Sequence, residues 1–111
     1  MPSASEFLSG FLLTSGTVLG GYSLSSATST HETIKRYREY LYHITLVFKK
    51  SPGASYSNLF NAVMDEISQE RVIWGVRNPY RCIIDPPQEG DIVEDPDGTI
   101  TFHLVGHSYR A

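Results

Sequence analysis

Arg36-Tyr37-Arg38-Glu39-Tyr40-Leu41-Tyr42-His43-Ile44-Thr45-Leu46-Val47-Phe48-Lys49-Lys50 is the stretch that decides the fold. Its alternate positions separate: Tyr40, Tyr42, Ile44, Leu46 and Phe48 fall on one side, Leu41, His43, Thr45 and Val47 on the other. Successive side chains of a strand point to opposite faces, so this period of two predicts a strand from about Tyr37 with one fully apolar face.

Downstream, Ser51-Pro52-Gly53-Ala54-Ser55 is a turn, and Ser57 is the expected cap of a helix running to about Gln69. Leu59, Phe60, Val63, Met64 and Ile67 lie on one helical stripe, with Asn61, Asp65, Glu66 and Gln69 opposite, so this helix is expected to pack on the sheet. Val72-Ile73-Trp74-Gly75-Val76 reads as a short strand or a buried turn. An Asn78-Pro79 break, a strand over Tyr80 to Ile84 and the stop at Pro86-Pro87 follow. Asp97-Gly98, between Asp91-Ile92-Val93-Glu94 and the run Thr99 to Tyr109, signals a hairpin, because the tight turn needs a positive φ that glycine supplies. Ile100, Phe102 and Leu104 would then face the core. The order predicts an α+β fold: an antiparallel sheet packed against one main helix, with a flexible or docking N-terminal arm.

That arm is read from composition. Residues 7–23 are apolar in patches, yet Ser, Thr and glycine interrupt them and no basic residue precedes them. They are too polar to span a bilayer and lack the charged start of a signal peptide. A mobile arm, a strand pair and a surface-docking segment all remain open. Ser23 to Ser29 reads as a linker, and Ser29 with Glu32 has capping-box spacing, so a short helix through Tyr37 competes with upstream extension of the strand. The strand is preferred. Residues 1–30 are thus assigned to an arm and linker, mobile or inserting into a neighbour, and residues 31–111 to a single globular domain.

With 111 residues the chain can bury one core but not two. Its net charge of −3 argues against nucleic-acid binding driven by bulk charge, so no sequence-specific nucleic acid is expected as a direct partner. The single Cys82 allows no internal disulfide and no thiol pair for zinc, which fits a reducing compartment such as the cytosol.

Sites for chemistry are sparse. His103 and His107 share a strand face but would stand roughly 13 Å apart at about 3.3 Å per residue, too far to ligate one ion. His43 fits a half-buried strand histidine better than a relay base, since no nucleophile-bearing elbow accompanies it. Glu89, Asp91, Glu94, Asp95 and Asp97 read as a solvated turn, lacking the spaced oxygens of a calcium loop. There is no phosphate-cradling loop or dinucleotide fingerprint. No catalytic residue, metal or cofactor is expected, and the chain is read as non-enzymatic. Tyr37, Tyr40, Tyr42 and Trp74 are candidate interface residues, because exposed aromatics often anchor contacts; amphipathic sheet residues with wet hydroxyls are the plainer alternative.

From Arg36 onward the chain resembles the globular core of rhabdovirus matrix proteins of the vesiculovirus type. The matching residues are Arg36-Tyr37 with Tyr40, Tyr42, Ile44 and Leu46, then Pro52, then Tyr56-Ser57-Asn58 with Ala62-Val63, then Asn78-Pro79-Tyr80-Arg81. Phe102-His103 with Gly106 and Tyr109 is similar to a strand of the same family. The resemblance implies a non-catalytic structural protein of the virion and host cytoplasm that self-associates and condenses the viral nucleoprotein complex beneath the envelope for assembly and budding. It implies that Phe7, Leu8, Phe11, Leu12 and Leu13 form a self-association arm. On the same footing, Lys35, Arg36, Arg38, Lys49 and Lys50 would contact nucleocapsid or anionic lipid at the cytoplasmic face of the host membrane. The family's lysine-rich start has no counterpart in residues 1–10, Pro86-Pro87 continues with Gln88-Glu89 instead of a budding motif, and the position of the host shut-off methionine falls at Ala27. The alternative is a small cytosolic binding or host-interaction module that uses its aromatic sheet surface against one partner.

Overall fold

The computed structural model describes residues 2–34, 39–74 and 79–110, with the side chains of residues 31–34 and 74 left aside. Its elements run α1 (Ala4–Gly10), β1 (Val18–Leu19), β2 (Tyr22–Ile34), β3 (Glu39–Lys50), α2 (Tyr56–Ile67), β4 (Arg71–Trp74), β5 (Pro79–Ile84), β6 (Ile92–Glu94) and β7 (Ile100–Arg110). Every strand pairing is antiparallel, in the order β1-β2-β3-β7-β5-β4, and β6 also pairs with β7. The sheet curls into a half-barrel whose hollow holds the core, an α+β arrangement with two helices.

The period of two decides which face is inside. Tyr42, Ile44, Leu46 and Phe48 of β3 are buried, as are Ile100, Phe102 and Leu104 of β7 and Tyr80, Cys82 and Ile84 of β5. Ile44 stands opposite Leu104, and Leu46 opposite Phe102, so the apolar positions of neighbouring strands line one surface. Leu59, Val63 and Ile67 of α2 cover part of it, with Phe60 and Met64 packed at the margin. Ser55, not Ser57, caps this helix: its hydroxyl accepts the Asn58 amide at 3.3 Å. The Asp97-Gly98 hairpin forms, with Gly98 at φ 89° and the Asp97 carboxylate accepting the Thr99 amide at 3.0 Å. That amide holds the Asp97 carboxyl below its usual range.

The first thirty residues depart from the arm-and-linker expectation. Ser23 to Ser29 is no linker: it belongs to β2, which pairs with β3 from Tyr22 opposite Lys50 to Ile34 opposite Glu39, with an irregularity between Leu24 and Ser26. Threonine is β-branched and suits a strand, and a long neighbour such as β3 supplies a ladder that local composition does not announce. Gly20-Gly21, both at positive φ, make the two-residue turn that joins β1 to β2. A Cβ at Gly20 would come within 2.4 Å of the Leu59 backbone nitrogen, so only glycine lets this turn lie against the start of α2.

Residues 4–10 form α1, opened by a reciprocal capping box between Ser3 and Glu6. Phe7, Leu8, Phe11 and Leu13 are buried in this chain's own core. Phe7 stacks on Tyr42 with ring centroids 4.2 Å apart and lies where a Cβ on Gly106 would be, 2.6 Å from the Phe7 Cζ. The Tyr42 hydroxyl donates to the Pro2 carbonyl at 2.6 Å and meets the Ser108 hydroxyl at 3.2 Å. The amino-terminal segment therefore plugs the hollow of its own sheet, because apolar side chains at helical spacing gain more by burial there than by exposure.

Candidate functional site: a lateral groove and a histidine bridge

The solvent face of the sheet is set by the odd positions of β7. Leu41 of β3 and Ile83 of β5 stand opposite His107, and Glu39 and Arg81 stand opposite Tyr109. Facing residues two apart on adjacent strands lie within reach of long side chains, so Glu39 reaches His107 on the diagonal. Its carboxylate oxygen lies 2.5 Å from the His107 Nδ1, and the Asp85 carboxylate lies 2.6 Å from Nε2. Tyr109 donates its hydroxyl to the same Glu39 oxygen at 3.1 Å and its ring stacks on that of His107.

Burial works against a charged His107, but the hydrogen bonds from Asp85 and Glu39, with their charges, outweigh it and raise the imidazole above its ordinary 6.5. The imidazolium has a proton for each carboxylate. Both ring nitrogens are then engaged, which leaves no lone pair for proton abstraction. The geometry makes a mechanical tie from β3, across β7, to the chain just after β5. Burial, joined by the bond to Glu39, likewise raises the Tyr109 hydroxyl.

Beside this bridge runs a groove of about 410 Å³ lined by Met64, Ile67, Gln69, Ile83, Ile84 and Pro86. Its origin lies in the register. The β4–β5 ladder begins at Arg71 opposite Cys82, so Ile83 and Ile84 run on past the start of β4 while residues 68–70 diverge toward the end of α2. A smaller hollow of about 240 Å³, lined by Glu70, Arg81, Ile83 and Tyr109, adjoins it at Glu70 and Ile83. Arg81 grips Glu70 with two bonds of 2.6 and 3.1 Å, which holds the Glu70 carboxyl below its usual range. Arg71 bonds Glu66 at 3.1 Å and lies over the Phe11 ring, tying the start of β4 to α2 and to the end of α1.

The sequence-derived candidates fall elsewhere. Phe7, Leu8, Phe11 and Leu13 are core, and of that set only Leu12 is exposed, at a left-handed φ of 57°. Tyr42 is sealed inside the molecule, its hydroxyl pushed up to about 12 by burial, and so moves from candidate interface to core. Tyr40 is half-buried, edge-on to Tyr80 with centroids 6.1 Å apart. Trp74 ends β4, its side chain outside the described residues, as are Lys35, Arg36, Tyr37 and Arg38 altogether. Lys49 and Lys50 are exposed at the opposite end of β3 from Glu39. His43, expected half-buried, is exposed.

Among the described residues no group of His, Cys, Asp and Glu is placed to hold a metal ion. Burial pushes the Cys82 thiol up to about 12, which quenches it as a nucleophile at neutral pH. Among the described residues no helix is long and apolar enough to cross a membrane. Comparison with protein families, curated proteins and solved structures gives no match. What the chain does is to be read from its own surface.

Sequence reasoning passed over Glu39, Asp85, His107 and Tyr109 as a set. His107 and Tyr109 announce themselves as same-face neighbours in β7, but the carboxylates come from distant points of the chain. Only the strand register brings them together.

Proposed function

We propose that this chain is a non-catalytic binding protein that takes an extended segment of a partner polypeptide into the groove between the end of α2 and β5. The carrying observation is the groove itself, about 410 Å³ with Met64, Ile67, Ile84 and Pro86 among its walls. Ile83 and Ile84 extend past the β4 ladder, so an incoming segment lies along strand-like backbone and sets its apolar side chains inward. The engaged nitrogens of His107 and the buried Cys82 favour binding over chemistry. Selection of random displayed peptides on the folded protein tests this. Binders that lose at least tenfold in affinity to a Met64→Glu or Pro86→Glu variant support it, and binders indifferent to both variants refute it.

A self-associating, matrix-like role beneath an envelope, with a viral nucleoprotein complex as partner, is the second reading. The observation in its favour is that α1 is a terminal plug: Phe7, Leu8 and Phe11 fill a hollow that an identical neighbour also possesses. Exchange of that plug between copies would build head-to-tail chains. Sedimentation velocity across concentration tests it, with assembly that Phe7→Ala weakens as the supporting result and a concentration-independent monomer as the refuting one.

A further inference from the structure

We infer that the Glu39–His107–Asp85 bridge is a latch that keeps the groove wall in place and opens as the imidazole loses its proton. The inference rests on the groove reading and concerns its regulation. Asp85 lies between Ile84 and Pro86, both of which line the groove. Its amide donates to the Val105 carbonyl at 2.9 Å, and Pro86 and Pro87, having no N–H, cannot extend that ladder. The side-chain bond from Asp85 to His107 is therefore the second fastening at the point where the wall leaves the sheet.

The groups around the imidazole decide how it lets go. From β3 comes Glu39, with Leu41 directly opposite and His43 next along the same face. From β7 comes Tyr109, stacked on the ring. From β5 and the residue after it come Ile83, Asp85 and Arg81, the last occupied by Glu70. A neutral imidazole carries one N–H, so it serves one carboxylate and turns a lone pair toward the other. Glu39 keeps the Tyr109 hydroxyl and its side chain is 16% exposed, whereas that of Asp85 is 52% exposed. Water solvates Asp85 at less cost, so Asp85 is the arm that leaves. The proton passes to solvent, and Asp85 and Pro86 are left with the Asp85 backbone bond to Val105, just beyond Ile84, which stays paired with Gly106 and buried in the core.

The direction follows from the raised imidazole value: the latch is closed below it and opens as pH rises through it. A ligand-free titration by nuclear magnetic resonance reads this without any partner, so it can fail while peptide binding stands, and the converse. In the wild type, the ring nitrogens of His107 should titrate above 6.5. The Asp85 amide and the Ile84 methyl signals should follow the same curve. In Asp85→Ala, those Ile84 signals should sit near their high-pH wild-type positions throughout and cease to titrate. His107→Gln, which offers one donor amide and no charge, should likewise remove the titration if Asp85→Ala disturbs the fold. Ile84 and Asp85 signals that stay still while His107 titrates would overturn the latch. So would an imidazole titrating below 6.5.

Discussion

Phe7 of α1 and Tyr42 of β3 lie face to face, centroids 4.2 Å apart and 21° from parallel, and join the first residues of the chain to the middle of the sheet. Both are fully buried. Phe7→Ala should therefore cost about 3–5 kcal/mol, the range for truncating a buried phenylalanine. Removal of residues 2–13 should leave no cooperative unfolding transition, where an appended arm would leave one intact. Urea unfolding followed by circular dichroism distinguishes the two.

Gly106 leaves room for the Phe7 ring. Gly106→Ala sets a Cβ 2.6 Å from Phe7 Cζ and 3.2 Å from Ile44 Cδ1, an overpacking worth about 1–3 kcal/mol. Phe7→Leu should relieve part of it, so the double variant should be more stable than the sum of the single effects predicts. Additive losses would show that the close approach does not exist.

Tyr42→Phe deletes the donor to the Pro2 carbonyl and the neighbour of the buried Ser108 hydroxyl. A buried acceptor left without its donor costs about 1–3 kcal/mol, so this conservative change should destabilise despite preserving the ring. Equal stability would mean that water enters beside Pro2.

Stability should also depend on pH through His107. Its folded value is raised, so the bridge contributes fully below the unfolded value of 6.5, and the contribution is lost as pH rises through the folded value. Denaturation midpoints taken from pH 6.5 upward should fall in the wild type as His107 releases its proton. In Glu39→Gln the fall should be smaller. An identical slope in both would remove Glu39 from the bridge.

The sheet was legible where pattern and burial coincide. The alternation Tyr40 to Phe48 and the Asp97-Gly98 turn both located their strands, because each is a local signal for which tertiary structure has no rival. The linker reading of Ser23 to Ser29 missed β2 for a physical reason. Ser3 with Glu6 and Ser29 with Glu32 have the same capping-box spacing, yet only the first is used. Phe7, Leu8 and Phe11 follow Ser3 at helical intervals, while the chain around Ser29 is held extended by twelve partners in β3, which no local rule sees. The bridge was hidden for the same cause, since Glu39, Asp85 and His107 meet only once β3, β7 and β5 are in register.

The groove is tested most directly by amide mapping of the isotope-labelled protein with a peptide selected on it. The account predicts shifts concentrated at Met64 to Glu70 and Ile83 to Asp85, abolished in Pro86→Glu while the core signals of Phe7 and Tyr42 stay in place. Shifts confined to the outer sheet around His43 and His103, with the groove unmoved, would contradict it.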